Sequence, residues 1–179
     1  MVDNLRIINI ENNHIPIIHM KTEKREGHIF AVQGLIVVIH PYEDRRTLRN
    51  ILTINKEIII KGYNNMSKQA VLDRTDKEYQ KIIQEYIDKY TNQLQTYPDQ
   101  IRHRYIKPDH FGWAYINNTI TYNNYLKYTS EEHIRLTVYH ELCHLYALKY
   151  NGTFAHDKHF YDILHKEFTP EEEAAIIAN

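Results

Sequence analysis

His140-Glu141-Leu142-Cys143-His144 stands late in the stretch from Ser130 to Tyr150, around which the rest of the chain is organised. Ile134, Val138, Leu142 and Leu145 recur there at helical spacing, and Asn151-Gly152 supplies a C-cap signal at the end. Thr129, with Glu132 three residues on, offers a capping box at the start. One amphipathic helix is expected. On it His140 and His144 are a turn apart, about 40° from each other around the axis, so both imidazoles can grip one ion. Glu141 falls on the flank of that face, within reach of a water on the ion. That is the division of labour in zinc-assisted hydrolysis: two histidines hold the cation, the cation lowers the pKa of its water to roughly 7, and the glutamate takes the proton as the water attacks a carbonyl.

The competing reading makes His140 and His144 ordinary helix-surface histidines and Glu141 a solvated carboxylate. Against it stand the helical context and the downstream histidines, since Asn151-Gly152 lets the chain fold back with His156 and His159 toward the ion. His165 and Glu167 are further candidates for a third ligand. Cys143 points to the side opposite Glu141 and reads as a small packing residue, because a closed four-ligand site would leave no position open for chemistry.

Several stretches together resemble the SprT-like and YgjP-like metallopeptidases. They are Phe111-Gly112-Trp113, Ile120-Thr121-Tyr122-Asn123 with Leu126, Val138 to Leu145, and His156-Asp157-Lys158-His159-Phe160. In that group a hairpin with a Trp-Gly type element and an Ile-x-x-Asn-x-x-Leu stretch precede a His-Glu-Leu-Cys-His-Leu helix, and a His-x-x-x-Phe element follows. The resemblance covers roughly Ile101 to Phe168. It implies His140, His144 and His156 as ligands of a Zn2+ ion, Glu141 as general base and Phe160 as the residue that seats the third histidine. The departures are Phe111-Gly112-Trp113-Ala114 in place of a Trp-Gly-Ser-Cys sequence, and a segment from His144 to His156 whose length is nearer the SprT-like branch. The resemblance also implies a polypeptide substrate and, on the SprT-like side, proteolysis of DNA-bound partners.

The bulk properties bound these readings. A chain of 179 residues can bury one sizeable core, or a core plus an appended subdomain. A net charge of −1 gives no global field for nucleic acid or anionic membrane. One cysteine excludes an internal disulfide and fits a reducing compartment. Met1 to Asn13 is broken by Asp3, Arg6 and Glu11, so no signal peptide is expected. The longest apolar run, Leu35 to Ile39, is far short of a membrane span. A cytoplasmic protein with no membrane partner is the expectation.

Before the motif, Leu5–Ile10, Ile15–Met20, His28–Ile39 and Ile51–Lys61 read as strands of an antiparallel β region, with Gly34 marking a bulge or a break. Tyr42 to Arg49 mixes Arg45, Arg46 and Arg49 with Glu43 and Asp44, and reads as a solvated turn or short helix rather than an anion contact. DNA association would need those arginines in one patch with Arg102 and Arg104. From Ser67 to Leu94 the period becomes helical: Tyr79, Ile82, Ile83, Tyr86, Ile87, Tyr90 and Leu94 share a face, and Thr75 with Glu78 offers a capping box for a helix from about Asp76.

Ile101 to Lys107 reads as a strand followed by Pro108-Asp109, and Asn117-Asn118 as a two-residue turn joining strands Trp113–Ile116 and Thr119–Tyr122. The hairpin from Gly112 to Tyr122 is the candidate for pairing with an extended substrate through its free edge. His110 reads as a surface residue, with a transition-state donor as the alternative. His133, two turns before His140, is too distant to share its ion and reads as solvent-facing or as support for the ligands. Asp157 is read as a helix cap, and Thr169-Pro170-Glu171-Glu172-Glu173 as the start of a final helix.

The expected architecture is therefore α+β. An N-terminal β-rich region over residues 1–66 precedes a domain over residues 67–179, in which a long helix braces a minimal zincin core with a β-hairpin beside the motif helix. A zinc-containing binding module without turnover remains the alternative to an enzyme.

Overall fold

The computed structural model describes residues 5–21, 27–32, 34–41, 45–65, 71–106 and 110–178. They divide into two compact units, one reaching to Val71 and the other from Leu72 to Ala178.

In the first unit, strands β1 (Leu5–Ile10), β2 (Asn13–Lys21), β3 (His28–Val32) and β4 (Leu35–His40) form a sheet of order β1-β2-β4-β3. Glu11 and Asn12, both at positive φ (49° and 68°), make the two-residue turn between β1 and β2. Gly34, at φ +78°, turns the chain so that the expected third strand becomes the hairpin of β3 and β4. The sheet is antiparallel-rich, but β2 and β4 run parallel. Tyr42, Glu43 and Asp44 lie outside the described residues.

The expected strand Ile51–Lys61 is a correction: this segment lies in two helices, α1 (Arg45–Ile54) and α2 (Lys56–Asn65). Its β-branched residues favour a strand, yet Leu48, Leu52 and Ile59 are needed to cover Ile15, Ile17, Ile36 and Val38 on one sheet face. Burial of that apolar face overrides the local preference, as it commonly does where a single helix or strand has little stability alone. Within α2, Ile59 is buried while Ile58 is exposed.

The second unit is built around α4 (Glu131–Asn151). Ser130, not Thr129, is its N-cap: the Ser130 hydroxyl accepts from the His133 amide at 3.1 Å, while Thr129 closes the preceding 3-10 turn, Asn124–Tyr128. Gly152 ends the helix at φ +69°, as the C-cap signal requires. The helix is buried on nearly every side rather than amphipathic, since His133, Leu136, Tyr139, Cys143, His144 and Ala147 are buried along with the apolar stripe. Cys143 packs in this core, where burial pushes its thiol pKa up.

Helix α3 (Asp76–Leu94) begins at the Thr75 capping box and packs along α4 through Tyr79, Ile83, Ile87, Tyr90 and Leu94. Tyr90 and Tyr139 meet edge to face at 4.7 Å, a geometry worth about 0.5–1.5 kcal/mol beyond the area buried. Glu167 ties this layer together, one oxygen accepting from Lys89 Nζ at 3.0 Å, Tyr90 OH at 2.7 Å and Arg135 Nη2 at 3.1 Å.

A three-stranded sheet of order β5-β7-β6 flanks α4, with β5 at Gln100–Arg104, β6 at Gly112–Tyr115 and β7 at Thr119–Asn123. β5 runs parallel to β7, and β6 antiparallel to it, leaving β6 at the edge beside α4. The hairpin turn has three residues, not two: Tyr115 pairs with Thr119, and Asn118 takes the left-handed conformation at φ +57°. Pro108 and Asp109 lie outside the described residues. Helices α5 (Lys158–Leu164) and α6 (Pro170–Ala178) complete the unit, the latter starting with Thr169 and Glu172 bonded reciprocally.

For His133, burial overturns the solvent-facing alternative. Only 4% exposed, the histidine meets Phe111 edge-on at 4.4 Å, just before β6. Burial lowers its pKa to about 4, opposed by a hydrogen bond to the main chain of Ile176 in α6. The unfolded chain therefore takes up a proton first as pH falls. The neutral ring's contribution is whole above pH 6.5 and is lost as pH drops through the folded-state value near 4, by on the order of 3 kcal/mol. His133→Gln should flatten that limb. Thermal midpoints measured between pH 7 and 4 should fall less steeply for the variant than for the wild type, and equal slopes would contradict the assignment.

Candidate metal centre

Helical spacing brings His140 and His144 to one face of α4, and the Gly152 turn carries the chain back over them. Ala155 N–H bonds the Thr153 hydroxyl within this return, and Asp157 then caps α5 by accepting from the Phe160 amide at 3.1 Å. The return places His156 against the other two rings: His140 Nε2 lies 3.2 Å from His144 Nε2 and 3.0 Å from His156 Nε2. Phe160 underlies all three, its ring 4.9 Å from His140, 4.6 Å from His144 and 4.7 Å from His156.

Among the described residues this is the cluster of three His, Cys, Asp or Glu ligand atoms that could hold an ion. His159 is exposed, His165 faces Glu173 at 3.3 Å, and Glu167 is bound to Lys89, Tyr90 and Arg135, so none of the three alternative ligands joins it.

The donor set fits a divalent cation. Three neutral imidazoles at metal–nitrogen distances of 2.0–2.1 Å in a tetrahedral arrangement stand about 3.3–3.4 Å apart, close to the spacing here. One proton on His140 Nε2 cannot serve two ring nitrogens, whereas a shared cation satisfies all three. Burial pushes His140 down to about 3, reinforced by the charges of His144 and His156. Burial also lowers His144 to about 4, with His156 adding to the effect and a bond to the Phe154 main chain opposing it. His140 and His144 are thus held in the unprotonated form that ligates. Three protein donors are characteristic of an open site, in which one position is left for water or substrate.

Glu141 is 6% exposed. Burial pushes its carboxyl up to about 8, opposed by a hydrogen bond from the Ala114 main chain. No Lys or Arg of the described residues contributes to that balance, so a cation on the histidines would supply the missing positive charge and favour the carboxylate. The carboxylate lies where Gly112 leaves room for it. A Cβ on Gly112 would stand 2.5 Å from Glu141 Cγ and 2.6 Å from Oε1.

Gly112 and the Ala114 amide are the contributors that sequence reasoning missed. The usable signal was a glycine inside a short strand, which marks close approach of another group to the backbone. His110, read as a surface residue, is half-buried and lines the cleft over the site. That cleft holds about 460 Å³ between β6 and the return segment, with Phe154 on its far wall. No helix among the described residues is long and apolar enough to cross a membrane.

No curated protein matches the chain. A family profile, the YgjP-like metallopeptidase domain, matches residues 6–175. With that match covering nearly its whole length, the chain belongs to the YgjP-like metallopeptidase family.

Proposed function

We propose that the protein is a zinc-dependent peptidase whose ligands are His140, His144 and His156 and whose general base is Glu141. The observation that carries this reading is the convergence of three ring nitrogens within 4.8 Å of one another beside a buried carboxyl, in a cleft bordered by an edge strand. Bound at the three histidines, zinc supplies Lewis acidity, lowering the pKa of a water to about 7 and polarising a carbonyl. Family membership supports a metal and a polypeptide substrate. The choice of zinc rests on the all-nitrogen, three-donor set.

The chain's own residues do the rest. The outward edge of β6, opposite its pairing with β7, offers main-chain groups to an extended peptide and gives affinity with little dependence on sequence. Glu141 accepts a proton from the attacking water and returns it to the leaving amine. The Ala114 amide and the space at Gly112 fix the carboxylate's position. Phe160 backs the histidines from the core side and holds their mutual angles. A buried free cysteine fits the reducing interior of a cell, so we place the protein in the cytoplasm.

Two variants test the roles. Glu141→Gln should keep about one zinc per chain and lose on the order of 10³-fold or more in hydrolysis of denatured casein, within the range expected of a general base. Turnover retained in that variant would remove Glu141 from the mechanism, and a wild type that binds zinc but never cleaves would make the protein a binding module. Gly112→Ala should also keep zinc, and by displacing Glu141 should lower kcat about 100-fold. An unchanged kcat would show that Glu141 works from a different position.

A further inference from the structure

Trp113 and Tyr115 lie on the face of β6 opposite Gly112 and Ala114, because successive strand residues alternate. Ala114 packs toward the core, whereas Trp113 is 45% exposed. His110 lies nearly flat on Trp113, with ring centres 4.9 Å apart and planes 16° from parallel. Tyr115 is 6.4 Å from Trp113. With Ile106, these three rings line a second cavity of about 290 Å³. Since His110, Trp113 and Tyr115 also line the cleft over the histidines, the two cavities meet at the edge strand.

An extended chain added to the outward edge of β6 alternates its side chains in turn. One set falls on the α4 side and the other over Trp113 and Tyr115. We propose that the cavity between Ile106, His110, Trp113 and Tyr115 is a substrate subsite that takes one aromatic side chain of the bound peptide. The inference rests on the peptidase reading above and names a class of substrate for it.

The lining chooses the occupant. The exposed part of the Trp113 indole offers a planar surface, which favours a ring over a branched aliphatic chain because offset stacking adds to the area buried. Arg104 lies on the same sheet face, donates to the Tyr115 hydroxyl at 3.2 Å, and forms no ion pair with a described carboxylate. Its charge turns away Lys and Arg, which would otherwise be drawn to the indole by cation–π attraction. The volume of about 290 Å³ is ample for one aromatic side chain.

Trp113 is the chain's single tryptophan and lines both cavities, so its emission reports on peptide at the edge strand, and the shift given by the all-small host is the baseline against which the Phe peptides are read. The experiment uses full-length Glu141→Gln protein loaded with zinc. It titrates decapeptides of Gly, Ser and Ala in which one Phe is walked through the positions. Peptides with Phe at the registered position should bind about tenfold tighter than the all-small host and should shift Trp113 emission. Trp113→Ala should lose that preference, and Trp113→Phe, followed with a labelled peptide, should keep most of it. Equal binding of Phe and host peptides, or a preference that survives Trp113→Ala, would overturn the subsite. Sequencing the casein fragments released by the wild type separates the two failures. Cleavage without an aromatic preference overturns the subsite alone, whereas no cleavage and no peptide binding overturn the peptidase reading with it.

Discussion

Phe160 is the contact on which the site depends. One ring, itself fully buried, touches His140 and His144 from α4 and His156 from the return segment, and so holds together two pieces of chain that the His144 bond to the Phe154 main chain also joins. The burial it enforces has an electrostatic consequence as well as a steric one. Imidazoles shielded from water lose their protons, as burial makes His140 and His144 do, and with His156 facing the same point the rings are a ligand set in waiting. Asp157, by capping α5, decides where Phe160 begins its approach.

The same logic operates on the other side of α4. A helix buried nearly all round leaves room for a carboxylate only where a neighbour gives way, and at Gly112 the edge strand does so. The Ala114 amide then supplies the single main-chain donor that opposes burial. Glu141 is thereby placed between the helix that carries two of the clustered histidines and the edge strand of the sheet, so its position follows from one packing arrangement. His133 and Phe111 anchor the start of that strand a further two turns along the helix.

The legible parts of this arrangement were those set by local periodicity. Two histidines four apart on a helix must share a face, and Thr75 with Glu78 or Asn151 with Gly152 mark helix ends by their own chemistry. The fold class, with its long bracing helix and hairpin beside the motif helix, followed from the order of such segments. Long-range packing was not legible. Ile51 to Lys61 has the composition of a strand but covers a sheet as helices, and the parallel pairings of β2 with β4 and of β5 with β7 join segments with no local signal. His133 is buried by a phenylalanine 22 positions before it, and Thr129 and Ser130 are equally good caps until the 3-10 turn claims the first. His156 rather than His159 was chosen by resemblance. The structure brings His156 into the cluster because it stands just ahead of the capped turn, while His159 lies beyond it on the exposed side of α5.

If these three histidines form one zinc site, the metal content of the purified protein shows it. Protein offered zinc and then freed of loosely held ions should carry about one zinc per chain as wild type and as His159→Ala, and clearly less as His156→Ala. A wild type that holds no metal would rule out the shared site, and so would a His156→Ala protein that holds as much as the wild type.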